Sequence, residues 1–126
     1  MAQLQQYSTL EHFRVTSPAP FVAHIEINRP AKLNAFFEPM WLEMGRAFRQ
    51  LSADPDVRAV VLSGAGDRAF TAGLDVQAAS QNPALTGGGG SDPARGAAYI
   101  RRHVAEFQEC VSALEKCEKR KACCPS

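Results

Sequence analysis

The chain has 126 residues, 45% of them hydrophobic and 21% charged, with a formal net charge of +1. That length suits one small domain or part of a larger one, and the composition is that of a folded chain rather than a disordered one. The near-neutral charge and scattered basic residues, not interleaved with aromatics, argue against a nucleic-acid partner, and no apolar run approaches the ~18 residues of a membrane span.

The opening, Met1 to Phe13, has no basic n-region, no apolar core and no early arginine. It reads neither as a secretory signal nor as a transit peptide, residues 1–9 are expected to be flexible, and an intracellular, reducing setting is expected. His12 to Ser17 is a short, weak strand, with Pro18-Ala19-Pro20 as its turn. From Phe21 to Asn28 the pattern alternates, with Phe21, Ala23, Ile25 and Ile27 on one face and Val22, His24 and Glu26 on the other. A period of two is a strand with one wetter face, which makes His24 a surface residue.

From Glu38 to Ser52, Met40, Trp41, Met44, Ala47, Phe48 and Leu51 recur every three or four residues, one apolar face of a helix. Val57 to Gly64 is a nearly continuous apolar, β-branched run, suited to a parallel strand covered on both faces. Strand, helix and strand in that order imply a right-handed crossover. Residues 80–93 include four consecutive glycines and read as a loop. Ala97, Ile100, Val104, Phe107, Val111 and Leu114 then mark a second amphipathic helix running to about Cys117, with Asp92 as its cap and Pro93 in its first position.

All four cysteines lie late in the chain, at Cys110, Cys117, Cys123 and Cys124. His103, Cys110 and Cys117 share one helical stripe, but each step of seven residues is about 10 Å along the axis, too far to ligate one ion. They read as small core-facing residues and no metal is expected. Residues 118–126 break the pattern and are expected to add no buried element. The closing Cys-Cys-Pro-Ser lacks the aliphatic pair of a prenylation signal, so no membrane anchor is expected.

Three stretches are candidate sites. Gly64 to Ala69 matches G-x-G-x-x-A after a strand, but Phe70-Thr71-Ala72-Gly73 is poor helix material, so a dinucleotide fragment is the least favoured reading. Asn28 to Phe36 reads as a strand end and turn in which Asn34 is able to cap a helix. Phe70 to Val76, "FTAGLDV", has no nucleophile, histidine or metal-ligand pair. Its glycine permits a backbone amide to face outward, and amides at the start of a short helix at Asp75 suit an oxygen that becomes negative during reaction.

Together, "HIEINRPAKLNAF", the helix holding Trp41, "VRAVVLSGAGDRAFTAGLDV" and the helix after the loop resemble the enoyl-CoA hydratase/isomerase (crotonase) family over about residues 10–117. Within it, "SGAGDRAFTAGLDV" is most similar to the dienoyl-CoA isomerases of fatty-acid β-oxidation. The resemblance implies an α/β fold, the N-terminal part of a crotonase-like ββα spiral, and an acyl-CoA thioester as ligand, with coenzyme A entering as part of the substrate and no separate cofactor. The backbone N–H of Leu74 would donate to the thioester oxygen. Ala72, Gly73, Asp75 and Val76 would line the acyl-CoA site, and Ala31, Lys32 and Leu33 would lie along the coenzyme A moiety. A mitochondrial or peroxisomal setting is implied too, with a homo-oligomer or association with full-length relatives.

Such enzymes are about twice this length, and they continue through a Cys-x-Lys-Pro turn into an apolar strand, a second amide donor and the catalytic carboxylates. Here Cys117-Glu118-Lys119 is followed by Arg120 to Ser126, which departs from that pattern. The expectation is a truncated, catalytically inert chain whose Val57–Gly64 strand keeps an open edge that invites self-association. The alternative expectation is a non-catalytic interaction module that pairs with full-length relatives.

Overall fold

The computed structural model describes residues 4–81 and 92–124, so most of the glycine-rich 80–93 segment lies outside the described residues. Strands β1 (Phe13–Ala19), β2 (Val22–Ile27), β3 (Ala59–Gly64) and β4 (Arg120–Cys124) form one sheet in the order β1-β2-β3-β4. β1 and β2 are antiparallel, and β2–β3 and β3–β4 are parallel. Helix α1 (Glu38–Ala53) makes the crossover from β2 to β3, α2 (Val76–Ser80) is short, and α3 (Pro93–Lys116) leads to β4. No helix among the described residues is long and apolar enough to cross a membrane.

The first hairpin turns later than its prolines suggest. β1 runs through Pro18 because its register with β2 slips between Thr16 and Ala19, and an edge strand tolerates a residue without an N–H. The reversal falls at Phe21, with φ of 64°, whose carbonyl accepts from the amides of Arg58 and Ala59 and whose ring lies 4.2 Å from the Arg58 guanidinium carbon.

Ala23, Ile25, Ile27, Val60 and Leu62 are buried, as are Met40, Met44, Ala47, Phe48 and Leu51 of α1, and together they form the core. Removing Phe48 and Leu51 alone from water stabilises the fold by about 1.5–3 kcal/mol each. The continuous apolar run in β3 suggests cover on both faces. In the structure one face is buried, while Val61 and Ser63 on the other stay half-buried beside His24 and Glu26. Glu43, also buried, accepts from the amides of Glu11 and His12 at 3.0 Å each, so its charge is hydrogen-bonded.

α3 packs on α1 through a narrow stripe of His103, Cys110 and Ala113, continued by Cys117. The close approach rests on Gly45, where a Cβ would stand 3.1 Å from Cys110 Sγ. Asp92 caps α3 by accepting from the Ala94 amide. The helix sits rotated from its expected apolar face, leaving Val104 and Val111 about 40% and 42% exposed. The small side chains of the stripe meet the groove at Gly45, and the bulkier valines lie outside it.

Residues 1–3 of the segment expected to be flexible lie outside the described residues, and within the rest of it Leu4 donates its amide to the Val15 carbonyl and the buried Tyr7 donates its hydroxyl to Asp54 Oδ2 at 2.9 Å. Burial, and then the Asp54 carboxylate, push the Tyr7 hydroxyl well above the usual phenol range. The expectation that the Val57–Gly64 strand keeps an open edge is overturned by β4, which pairs with β3, whereas no buried element follows Cys117 among the described residues. All five β4 side chains are exposed, and pairing needs only main-chain groups, so no apolar pattern announces it.

An alanine at Gly64 would bring Cβ to 2.3 Å from the Phe70 carbonyl oxygen and 2.8 Å from its Cα. Gly64→Ala is expected to cost about 3 kcal/mol, since main chain has to move. Urea unfolding followed by Trp41 fluorescence measures it.

Candidate functional site

The site begins with a loop brace. After the 3-10 turn Pro30–Lys32, Leu33 and Asn34 take left-handed conformations with φ of 53° and 58°. Asn34 is fully buried, accepts from the Arg29 amide at 2.9 Å, and donates from Nδ2 to the carbonyls of Ala65 and Ala69 at 3.0 and 2.9 Å. It is therefore a clamp between the loops after β2 and β3, in place of the helix cap expected of it. Asparagine fits because its short amide side chain tolerates the left-handed region while satisfying local main chain.

That clamp sets the loop from Ala72 to Asp75 beside the 33–36 segment. Ala72 donates its amide to the Leu33 carbonyl at 2.9 Å, and Gly73 donates to Thr71 Oγ1 at 3.1 Å. The Phe36 amide donates to the Gly73 carbonyl and the Asp75 amide to the Phe36 carbonyl, both at 2.7 Å, making a parallel bridge between Phe36 and Leu74. Successive peptide groups of an extended segment alternate sides, so the Leu74 N–H faces away from Phe36. Of the four amides from Ala72 to Asp75, it alone has no partner among the described residues. Gly73 has φ of 90° with no atom within 4 Å of a Cβ built on it, so conformation, not space, calls for glycine there.

Asp75 closes the arrangement. Its Oδ1 accepts from the Ala78 amide at 3.0 Å, capping α2, and its Oδ2 accepts from Arg29 Nη1 at 2.9 Å. The Ala78 amide, and then Arg29, hold its carboxyl below the usual range. Arg29 also donates to the Ala35 carbonyl at 2.9 Å and lies 4.2 Å from the centre of the Phe37 ring.

Beside Leu74 lies a cavity of about 430 Å³ lined by Trp41, Leu74, His103, Val104, Phe107 and Gln108. Its volume and apolar walls suit a small organic ligand. A larger cavity, about 670 Å³, lies between α1 and α3, walled by charged groups including Glu11, Glu38, Arg46, Arg49 and Glu106. It holds none of the 72–76 segment.

Ala72, Gly73, Leu74 and Val76 are exposed and Asp75 is half-buried. Ala31, Lys32 and Leu33 are exposed on the neighbouring turn, joined to the loop through Leu33 and Ala72. Trp41, His103 and Phe107 escaped sequence reasoning because at helical spacing they read as core. Glu106 and Glu109 line the larger cavity, not the Leu74 one. No helix opens at Gly64–Ala69, as α2 starts only at Val76 and has five residues, so a dinucleotide site lacks its helix. Glu11, His12 and Glu43 bring ligand-type atoms within 4.8 Å of one another, but Glu43 already accepts from two amides and the His12 ring, which makes the group a hydrogen-bonded cap.

Residues 19–90 match the family described as enoyl-CoA hydratase/isomerase. Over 109 residues the chain is 41% identical to the mitochondrial delta(3,5)-delta(2,4)-dienoyl-CoA isomerase of Pongo abelii, covering 86% of this chain and 32% of that protein. It is 34% identical over 116 residues to the peroxisomal delta(3,5)-delta(2,4)-dienoyl-CoA isomerase of Arabidopsis thaliana, covering 92% of this chain and 41% of that one. A solved enoyl-CoA hydratase/isomerase from Xanthobacter autotrophicus Py2 superposes with a TM-score of 0.72 at 26% identity, over 91% of this chain and 38% of that chain. The chain thus spans between about a third and two fifths of the lengths of these relatives.

Asn34→Ala leaves the Ala65 and Ala69 carbonyls and the Arg29 amide without their partner and is expected to cost about 3 kcal/mol in thermal unfolding. For Asp75, a depressed folded pKa means its contribution is present above the ordinary carboxylate pKa and is lost as pH falls through the folded value. Asp75→Asn should therefore flatten the loss of stability below about pH 4, measured as denaturation midpoint against pH.

Proposed function

This chain belongs to the enoyl-CoA hydratase/isomerase family, and from that premise we propose that it supplies one half of an oxyanion hole for an acyl-CoA thioester, in a protein of the dienoyl-CoA isomerase type. The observation that carries the reading is the Leu74 N–H, without a partner among the described residues, at the rim of an apolar cavity. The thioester oxygen accepts from that amide while the acyl chain enters among Trp41, Val104 and Phe107. As a proton leaves the acyl chain, charge builds on the oxygen and the hydrogen bond strengthens, so the interaction favours the transition state over the ground state. The exposed turn Ala31-Lys32-Leu33 lies along the coenzyme A moiety, with the Lys32 ammonium available to its phosphates. The relatives' names place them in mitochondria or peroxisomes, and the same setting is proposed for this chain.

Proton transfer is a separate matter. The carboxylate nearest in sequence to Leu74, Asp75, is engaged by Arg29 and the Ala78 amide and held ionised. It is a poor general acid, and each of its oxygens already accepts one hydrogen bond. The 126-residue polypeptide alone is therefore proposed to hold and polarise a thioester without turning it over. Titration with a 3,5-dienoyl-CoA should show weak saturable binding that falls about tenfold or more in Leu74→Pro, which lacks the donor. Binding unchanged in that variant, or turnover that disappears when a carboxylate of this chain is replaced, would overturn the reading.

A second reading, association through the sheet, is favoured by β4, the edge strand of the sheet among the described residues, all of whose side chains are exposed. Sedimentation is expected to show species that grow with concentration, and a single monomer throughout would count against it.

A further inference from the structure

Besides the exposed Gln108, the lining of the cavity beside Leu74 includes a buried polar side chain that its apolar walls do not require. His103 is 9% exposed and belongs to the stripe that α3 buries against α1, where the following members are Cys110 and Ala113. Its ring packs edge-on to Trp41 with centroids 5.8 Å apart. Its Nε2 is shut off from solvent and has no hydrogen-bond partner among the described residues. A buried polar nitrogen left unpaired destabilises the fold that holds it, and a small apolar residue like its stripe neighbours would carry no such penalty. The imidazole nevertheless forms part of the wall of a ligand-sized cavity, together with Trp41, Leu74, Val104 and Phe107.

We propose that His103 makes this cavity selective for an acyl chain bearing a hydroxyl group partway along its length, distant from the thioester. The proposal rests on the reading of Leu74 as the thioester donor. A hydroxyl matches either neutral tautomer, because it donates to a bare Nε2 and accepts from a protonated one. Rotation about the imidazole's Cβ–Cγ bond, a soft torsion, presents the nitrogen to the cavity. The hydrocarbon on either side of the hydroxyl lies against Trp41, Val104 and Phe107, and a plain chain leaves the nitrogen unpaired.

The test compares two coenzyme A thioesters of equal chain length, one saturated and one hydroxylated at mid-chain, titrated into the full 126-residue chain. The His103 imidazole nitrogen shifts are followed by nuclear magnetic resonance in parallel. The wild type is expected to prefer the hydroxylated ligand about fivefold, the range of one net hydrogen bond, with a shift at Nε2. His103→Leu should bring the ratio to one, with the saturated thioester still bound saturably. His103→Gln, which keeps a hydrogen-bonding group, should retain part of the preference, and Gln108→Ala on the same wall should retain all of it. A wild-type ratio of one, or a preference that survives in His103→Leu, overturns the selectivity while leaving the Leu74 site standing. Failure of the wild type to bind either thioester overturns both.

Discussion

Two hydrogen bonds of 2.7 Å between Phe36 and the peptide groups flanking Leu74 determine which way the Leu74 amide faces. With Gly73 held by its carbonyl and Asp75 by its N–H, the peptide between them has no freedom to turn back toward the 33–36 segment. An amide fixed in this manner is a preorganised donor, and preorganisation is what gives a hydrogen bond value in stabilising charge that develops during a reaction.

The bridge depends in turn on groups outside the lining of the Leu74 cavity. Asn34 fastens the turns on either side, and it is buried because its three side-chain hydrogen bonds reach three different peptide groups. Gly64 allows the loop after β3 to pass against Phe70 at a distance no Cβ would permit. Arg29 spans the Ala35 carbonyl and Asp75 and is stacked on Phe37, so one cation joins both loops to the start of α2. Charge and hydrogen bonding here act on geometry, and the group they position is a main-chain amide.

The packing of α3 on α1 has a second consequence. The small residues of the buried stripe let the helices approach closely, and the larger side chains beside the stripe are left facing outward. The space between Leu74, Trp41 and Phe107 is a product of that rotation, as is the placement of His103. At the other edge of the sheet β4 takes the position beside β3 through backbone pairing alone, which moves the open edge outward by one strand.

Much of the fold was legible before any coordinates. The period of Met40 to Leu51 marked α1 and alternation marked β2, because each signal is local and both elements bury the face their pattern describes, while Asp92-Pro93 marked where α3 starts but not the face it buries. The glycine in "FTAGLDV" likewise marked a backbone able to take positive φ. Other features left no local trace. Asn34 reads as a cap in one dimension because its partners at Ala65 and Ala69 lie about thirty residues away. β4 has exposed side chains and so no pattern to read. Which face of α3 is buried depends on a groove in another helix, and the direction of one amide at Leu74 depends on Phe36 across the loop. Sequence by itself determined the helices α1 and α3, the strands up to β3 and the family to which the chain belongs, since propensity and motif spacing are carried by neighbours along the chain. Tertiary structure alone decided the open donor and the cavity beside it, because both are made by contacts between segments that the chain brings together only on folding.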